Sequence, residues 1–138
     1  MPKRVVVKGL AIGFAMCFVG IIWAADVGRL RVILDLIERV PYFDKLGHLV
    51  LVGTLSGLCH LAIHARAGSP WWRVTVTTWV LWGLLTIEEI SQHFLPHRHC
   101  DLADWLADVV GLALAHGCWW WWVNCKSRGV LQGDADPG

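Results

Sequence analysis

Long apolar runs alternate with short polar clusters along this chain, and the runs are of bilayer length. A helix needs about 20 apolar residues to cross the hydrocarbon core. Residues 9–25, 46–65, 71–93 and 102–123 meet that length to within a few residues. Residues 27–40 follow a different pattern. Leu30, Ile33, Leu34 and Ile37 recur at helical spacing, while Arg29, Arg31, Asp35, Glu38 and Arg39 fill the other faces. That predicts an amphipathic helix lying along a membrane surface and ended by Pro41. The expected fold is therefore all-α: a polytopic membrane protein built as a four-transmembrane-helix bundle. A short interfacial helix sits between spans one and two. Residues 1–123 form one domain, and residues 124–138, with Gly, Pro and Asp, form a loose cytoplasmic tail.

Lys3, Arg4 and Lys8 precede the first run, as in a signal peptide. Cleavage after Ala25 would place Trp23 where a small residue is needed, so the segment reads as a retained span. Gly9 with Gly13, and Gly53 with Gly57, form G-x-x-x-G pairs that allow close helix approach. Such pairs serve contacts within one chain or between chains, so the oligomeric state stays open.

Charge then orients the spans. With the N-terminus inside, Lys3, Arg4, Lys8, Arg66, Arg73, Lys126 and Arg128 face the cytoplasm, and Arg29, Arg31, Arg39, Lys45 and Arg98 face outward. Trp71, Trp72 and Trp119 to Trp122 then fall together at the cytoplasmic interface, as an aromatic belt would. Both termini are expected inside. The chain's 138 residues are 56% hydrophobic and 17% charged, with net charge +1. No basic stripe suits nucleic acid. The 5 cysteines form no C-x-x-C. Cys17, Cys59 and Cys118 read as small hydrophobes, and Cys100 lies in a polar loop.

Nearly all the unusual polarity lies in three pieces, and the four-span topology brings them to the outer face. They are Asp44, Lys45 and His48; Glu88, Glu89, Ser91 and Gln92; and Arg98, Asp101, Asp104 and Asp108. Spacings of three and four put Asp44 with His48, Lys45 with His48, and Glu89 with Gln92 on shared helix faces. Asp101, Asp104 and Asp108 draw one stripe. Carboxylates near a membrane are costly unless they face partners or water, and Lys45, Arg98 and a protonated His48 are the available counterions. Asp44 and Asp101 also precede apolar runs, where a carboxylate caps free backbone N–H groups.

The order D-K-x-x-H, E-x-x-Q and R-x-x-D-x-x-D, with a glycine seven residues after the last Asp, resembles the VanZ-like family of small bacterial membrane proteins. Asp44, Lys45 and His48 match the first motif, Glu89 and Gln92 the second, and Arg98, Asp101, Asp104 and Gly111 the third. The resemblance covers residues 44–115. Asp108 stands where an asparagine is expected and Ala115 where a second glycine is common. The resemblance implies a bacterial inner-membrane protein with an extracytoplasmic polar site and a role at the cell envelope. The family's eponymous member is linked to glycopeptide resistance.

Three functions compete. In the first, Asp44, Lys45, His48, Glu89, Gln92, Arg98, Asp101 and Asp104 bind a lipid-linked or glycopeptide-like ligand, with Lys45 and Arg98 engaging its anionic groups. Trp105 and Tyr42 line the interface nearby. In the second, the chain is a membrane-embedded hydrolase or transferase with Glu89 or His48 as general base. In the third, His93, His97, His99, Cys100 and Asp101 hold a metal, but their spacing matches no standard zinc motif. Binding is the favoured reading, with membrane lipids as partners and with no metal, cofactor or nucleic acid. His60 and His64 in span two and His116 in span four suggest a proton path, but His60 and His116 read instead as neutral, hydrogen-bonded residues of the bundle.

Overall fold

The computed structural model describes residues 2–64, 71–95 and 101–133. Among them the protein is all-helical: α1 (Pro2–Asp26), α2 (Arg31–Glu38), α3 (Phe43–His64), α4 (Trp72–Gln92) and α5 (Leu102–Gly133), with no strand. Each boundary has a local cause. α1 stops at Gly28, which adopts φ 74. The Gly28 N–H donates to the Ala25 carbonyl and the Arg29 N–H to the Ala24 carbonyl, both at 2.9 Å. That pair is a Schellman motif, and glycine supplies its left-handed residue without a Cβ penalty. The amphipathic segment therefore starts its helix at Arg31, a turn later than the polarity pattern suggests. It ends before Pro41, which has no N–H to extend it.

α3 is the hub, packing most extensively on α5 and also on α1, α4 and α2, and α4 packs on α5. Gly111 makes the α3–α5 crossing possible. A Cβ there would lie 2.7 Å from the Leu49 carbonyl oxygen and 3.1 Å from the Gly53 nitrogen. A Cβ on Gly53 would meet the Gly111 carbonyl oxygen at 3.4 Å, an ordinary contact. Gly53 thus pairs with Gly111 across helices. Among the described residues, Gly57, Gly9 and Gly13 have no neighbour within 4 Å of a built Cβ and so support no close approach there.

The apolar core is small. Val52, Leu85 and Leu112 are buried together, with Phe18 and Leu81 against them. Ser56, His60, Glu89, Gln92 and Asp108 are buried as well. Outside, large apolar side chains cover the surface, among them Val5, Leu10, Met16, Trp79, Leu84 and Ile87. A mixed polar and apolar interior under a largely apolar surface is unlike the usual arrangement of a water-soluble bundle. Two helices, over Arg4–Asp26 and Phe43–Ile63, are long and apolar enough to cross a membrane. α4 and α5, of 21 and 32 residues, have comparable or greater length. Threonines and glutamates dilute α4, and Asp104, Asp108 and His116 dilute α5. The expected loose tail differs in part: α5 continues through residues 124–133, a stretch without proline.

Candidate functional site

The first turn of α3, the last turn of α4 and the first two turns of α5 meet at one end of the bundle. Their meeting point is Lys45. Its ammonium donates to Asp44 Oδ2 at 2.8 Å, Asp101 Oδ2 at 2.9 Å and Asp104 Oδ1 at 3.0 Å. An ammonium has three protons, and these contacts use all of them. The expectation that Lys45 engages a ligand's phosphate or carboxylate thus meets a lysine whose donors are already committed. The three carboxylates offer oxygens within 4.8 Å of one another, a spacing suited to a cation. Lys45 supplies that positive charge. Its ammonium, with the Ala103 N–H, holds Asp101 below the usual carboxylate range.

Asp101 has two further jobs. Its Oδ1 accepts the Ala103 N–H at 2.9 Å, which makes it the N-cap expected for α5. Its own N–H donates to Glu89 Oε1 at 2.8 Å, tying the start of α5 to α4. Asp44, by contrast, lies inside the first turn of α3, where its charge complements the helix dipole. Tyr42, just before that helix, adopts φ 63 and is 78% exposed.

One turn deeper, His48 Nδ1 lies 3.0 Å from Asp108 Oδ1, and His48 Nε2 lies 4.0 Å from Asp104 Oδ2. Asp108 is buried, and its carboxyl gives His48 a partner in the interior. Asp108 belonged to the stripe legible in the sequence, although its partner was not. On α4, Gln92 Nε2 donates to Glu88 Oε1 at 2.9 Å and to Glu89 Oε2 at 3.3 Å. Glu89 is buried with both oxygens accepting hydrogen bonds, which suits a positioning group better than a general base. Trp105 donates its indole N–H to Thr86 Oγ1 at 3.0 Å and lines an open pocket with Glu89, Ile90 and Leu102. The structure therefore brings together Asp44, Lys45, His48, Glu89, Gln92, Asp101 and Asp104. Arg98, His97, His99 and Cys100 lie outside the described residues.

Two features were not anticipated. A cavity of about 210 Å³ opens beside the cluster, lined by residues of α1, α2, α3, α4 and α5. Phe18, Ile22, Leu34, Ile37 and Leu51 are among its apolar walls, and Asp44, His48, Glu88 and Asp108 form its polar side. Nothing local in the sequence announces it, because it arises where α1 and α2 lean on α3. The second feature lies near the other end of the bundle. His60 is fully buried, as a hydrogen-bonded residue of the bundle would be. Its Nε2 lies 3.0 Å from Thr78 Oγ1, which lies 3.2 Å from His116 Nδ1. Thr78 also donates to the Val74 carbonyl at 3.1 Å. One hydroxyl thus joins α4 to both histidines, and its role is hidden among three neighbouring threonines. The His64 side chain lies outside the described residues. Comparison with known protein families, curated proteins and solved structures finds no match for this chain.

Proposed function

We propose that the chain is a VanZ-like protein of the bacterial inner membrane with four spans and both termini cytoplasmic. In this reading α1, α3, α4 and the first part of α5 cross the bilayer, and the Lys45 cluster faces outward. The apolar surface of α4, including Trp79, Val80, Leu84 and Ile87, supports its placement in lipid.

The cluster and its cavity bind an amphiphile, a lipid-linked or glycopeptide-like ligand of the cell envelope. The observation that carries this is the juxtaposition itself: one cavity with apolar walls and one ionisable side. Drug-sized ligand sites commonly span roughly 300–1,000 Å³. At about 210 Å³ the cavity is sized for a chain and not for a glycopeptide scaffold. The ligand's polar part therefore sits at the cluster, outside the cavity. Photolabelling tests this. A photoreactive 12-carbon alcohol, used on membranes that contain the full chain, is expected to concentrate its adducts on the α1, α2 and α3 walls. Even labelling of all apolar surfaces would reject the site.

One observation favours a second reading. The Asp108–His48 pair has the geometry of a carboxylate orienting an imidazole, as general bases require. In a hydrolase or transferase, His48 would be the base and Glu89 a positioning residue. Turnover of a lipid-linked substrate that is lost in His48→Gln would establish that reading, and its absence across several lipid carriers would reject it.

A further inference from the structure

A second cavity, of about 430 Å³, lies between α4 and α5 at the end of the bundle away from Lys45. Trp71, Trp119 and Trp120 are among its walls, and Thr75, His116 and Asn124 are its polar lining. The hydrogen bonds of Thr78 fix what His116 offers there. A threonine hydroxyl has one proton and two lone pairs, and the proton of Thr78 goes to the Val74 carbonyl. The hydroxyl therefore meets both imidazoles as an acceptor, and His60 donates from Nε2 and His116 from Nδ1. An imidazolium inside a membrane span is costly, more so with a second imidazole ring 5.8 Å away. The neutral His116 ring thus carries its proton on Nδ1 and a lone pair on Nε2. Nε2 is the nitrogen left for a ligand of the cavity, and it accepts a hydrogen bond. An aromatic belt explains indoles at a membrane interface, but not a histidine of fixed tautomer set among them.

We propose that this cavity binds a phenolic head group on an apolar chain, an alkylphenol or hydroquinone drawn from the membrane. Its hydroxyl donates to His116 Nε2, and its ring lies against the indoles of Trp119 and Trp120. The lone pair selects a donor, and the indole walls select a flat ring, which gains from offset stacking. An aliphatic alcohol would satisfy His116 and leave the indoles without a ring, whereas an ether or ketone would set an acceptor against an acceptor. Thr78 is a positioning residue, because it holds the His116 proton on Nδ1. The inference rests on the membrane reading for the source of the ligand and is independent of the cavity beside His48.

The test is photolabelling of membranes that contain the full chain, with a photoreactive alkylphenol whose diazirine lies next to the ring. Saturable adducts are expected on Trp71, Trp119 and Trp120. Para-dodecylphenol and para-dodecylanisole then compete; they share ring and chain and differ in the hydroxyl proton. The phenol should displace the label at a concentration about threefold to tenfold below that of the anisole, as one neutral hydrogen bond allows. In His116→Phe, which keeps a ring and removes the acceptor, that ratio should fall to about one. In Thr78→Val it should also fall, because the His116 proton is released to Nε2, and Thr78→Ser should keep it. General loosening of the bundle would weaken both competitors alike, so the ratio isolates the hydrogen bond. Gly47 lines the cavity beside His48, and a Cβ built there meets nothing within 4 Å, so Gly47→Leu fills that cavity without a clash at its root. The same variant should leave the phenol adducts unchanged, and the two sites therefore stand or fall separately. Anisole competing as well as phenol would overturn the inference. A phenol advantage undiminished in His116→Phe or in Thr78→Val, or labelling with no saturable component on these tryptophans, would overturn it as well.

Discussion

A side chain on Gly111 would meet the Leu49 carbonyl oxygen at 2.7 Å, so the distance between α5 and α3 is set by the absence of a Cβ. Gly111→Ala must push the helices apart, and overpacking of this kind costs roughly 1–3 kcal/mol. Gly53→Ala, facing the same crossing at 3.4 Å, should be near neutral. Thermal denaturation of the two variants in detergent checks this. Equal stability would mean that the helices do not cross there.

Lys45 stands where a metal ion would stand. In Lys45→Ala, the carboxylates of Asp44, Asp101 and Asp104 remain within 4.8 Å of one another without their counterion. The variant should melt lower than wild type and regain stability in millimolar calcium or manganese, whereas wild type should not respond. A wild type that gains as much as the variant would contradict the pairing. The site is only half-buried, so the loss should fall below the roughly 3–5 kcal/mol seen when one partner of a fully buried pair is removed.

Asp101 gives a pH signature. Its carboxyl titrates below its ordinary value of 3.8 in the folded chain, chiefly because Lys45 donates to it. A depressed folded-state pKa adds stability that is fully present above the unfolded value and is lost as pH falls through the folded one. Wild type should therefore lose stability on acidification below about pH 4, and Asp101→Asn should lose less over that interval. Parallel acid profiles for the two proteins would show that Asp101 is not held by Lys45.

Tyr42 occupies the left-handed region at φ 63 while its side chain is exposed. A non-glycine residue held there costs about 1 kcal/mol or more. Tyr42→Gly should be more stable than Tyr42→Ala by about 1 kcal/mol, since both delete the ring and only glycine relieves the backbone. An alanine variant as stable as the glycine variant would place no strain at this turn.

Much of the fold was legible because bilayer-length apolar runs and Asp stripes are local patterns. The helices expected over 46–65 and 71–93 match α3 and α4 in position to within a few residues, and Pro41 lies just beyond the amphipathic helix. The stripe of Asp101, Asp104 and Asp108 does face α3, meeting Lys45 and His48. The glycine pattern was legible only in part, because close approach depends on a partner's backbone: Gly53 meets Gly111, whereas Gly57 meets nothing among the described residues. Lys45 was legible as a counterion, but not how many carboxylates it joins. Only the assembled site shows Asp44, Asp101 and Asp104 gathered around its one ammonium. Thr78 and the cavity beside His48 depend on how helices lean together, which no local spacing encodes.

The account turns on the cavity beside His48 and Asp108 being a place where an apolar chain is held. The most direct measurement is saturable photolabelling of the full chain in membranes by the 12-carbon probe, compared between wild type and Gly47→Leu. The account predicts a saturable component on the walls that include Phe18, Leu34 and Leu51, lost when leucine fills the cavity. A saturable component of the same size in Gly47→Leu, or none in wild type, would contradict it.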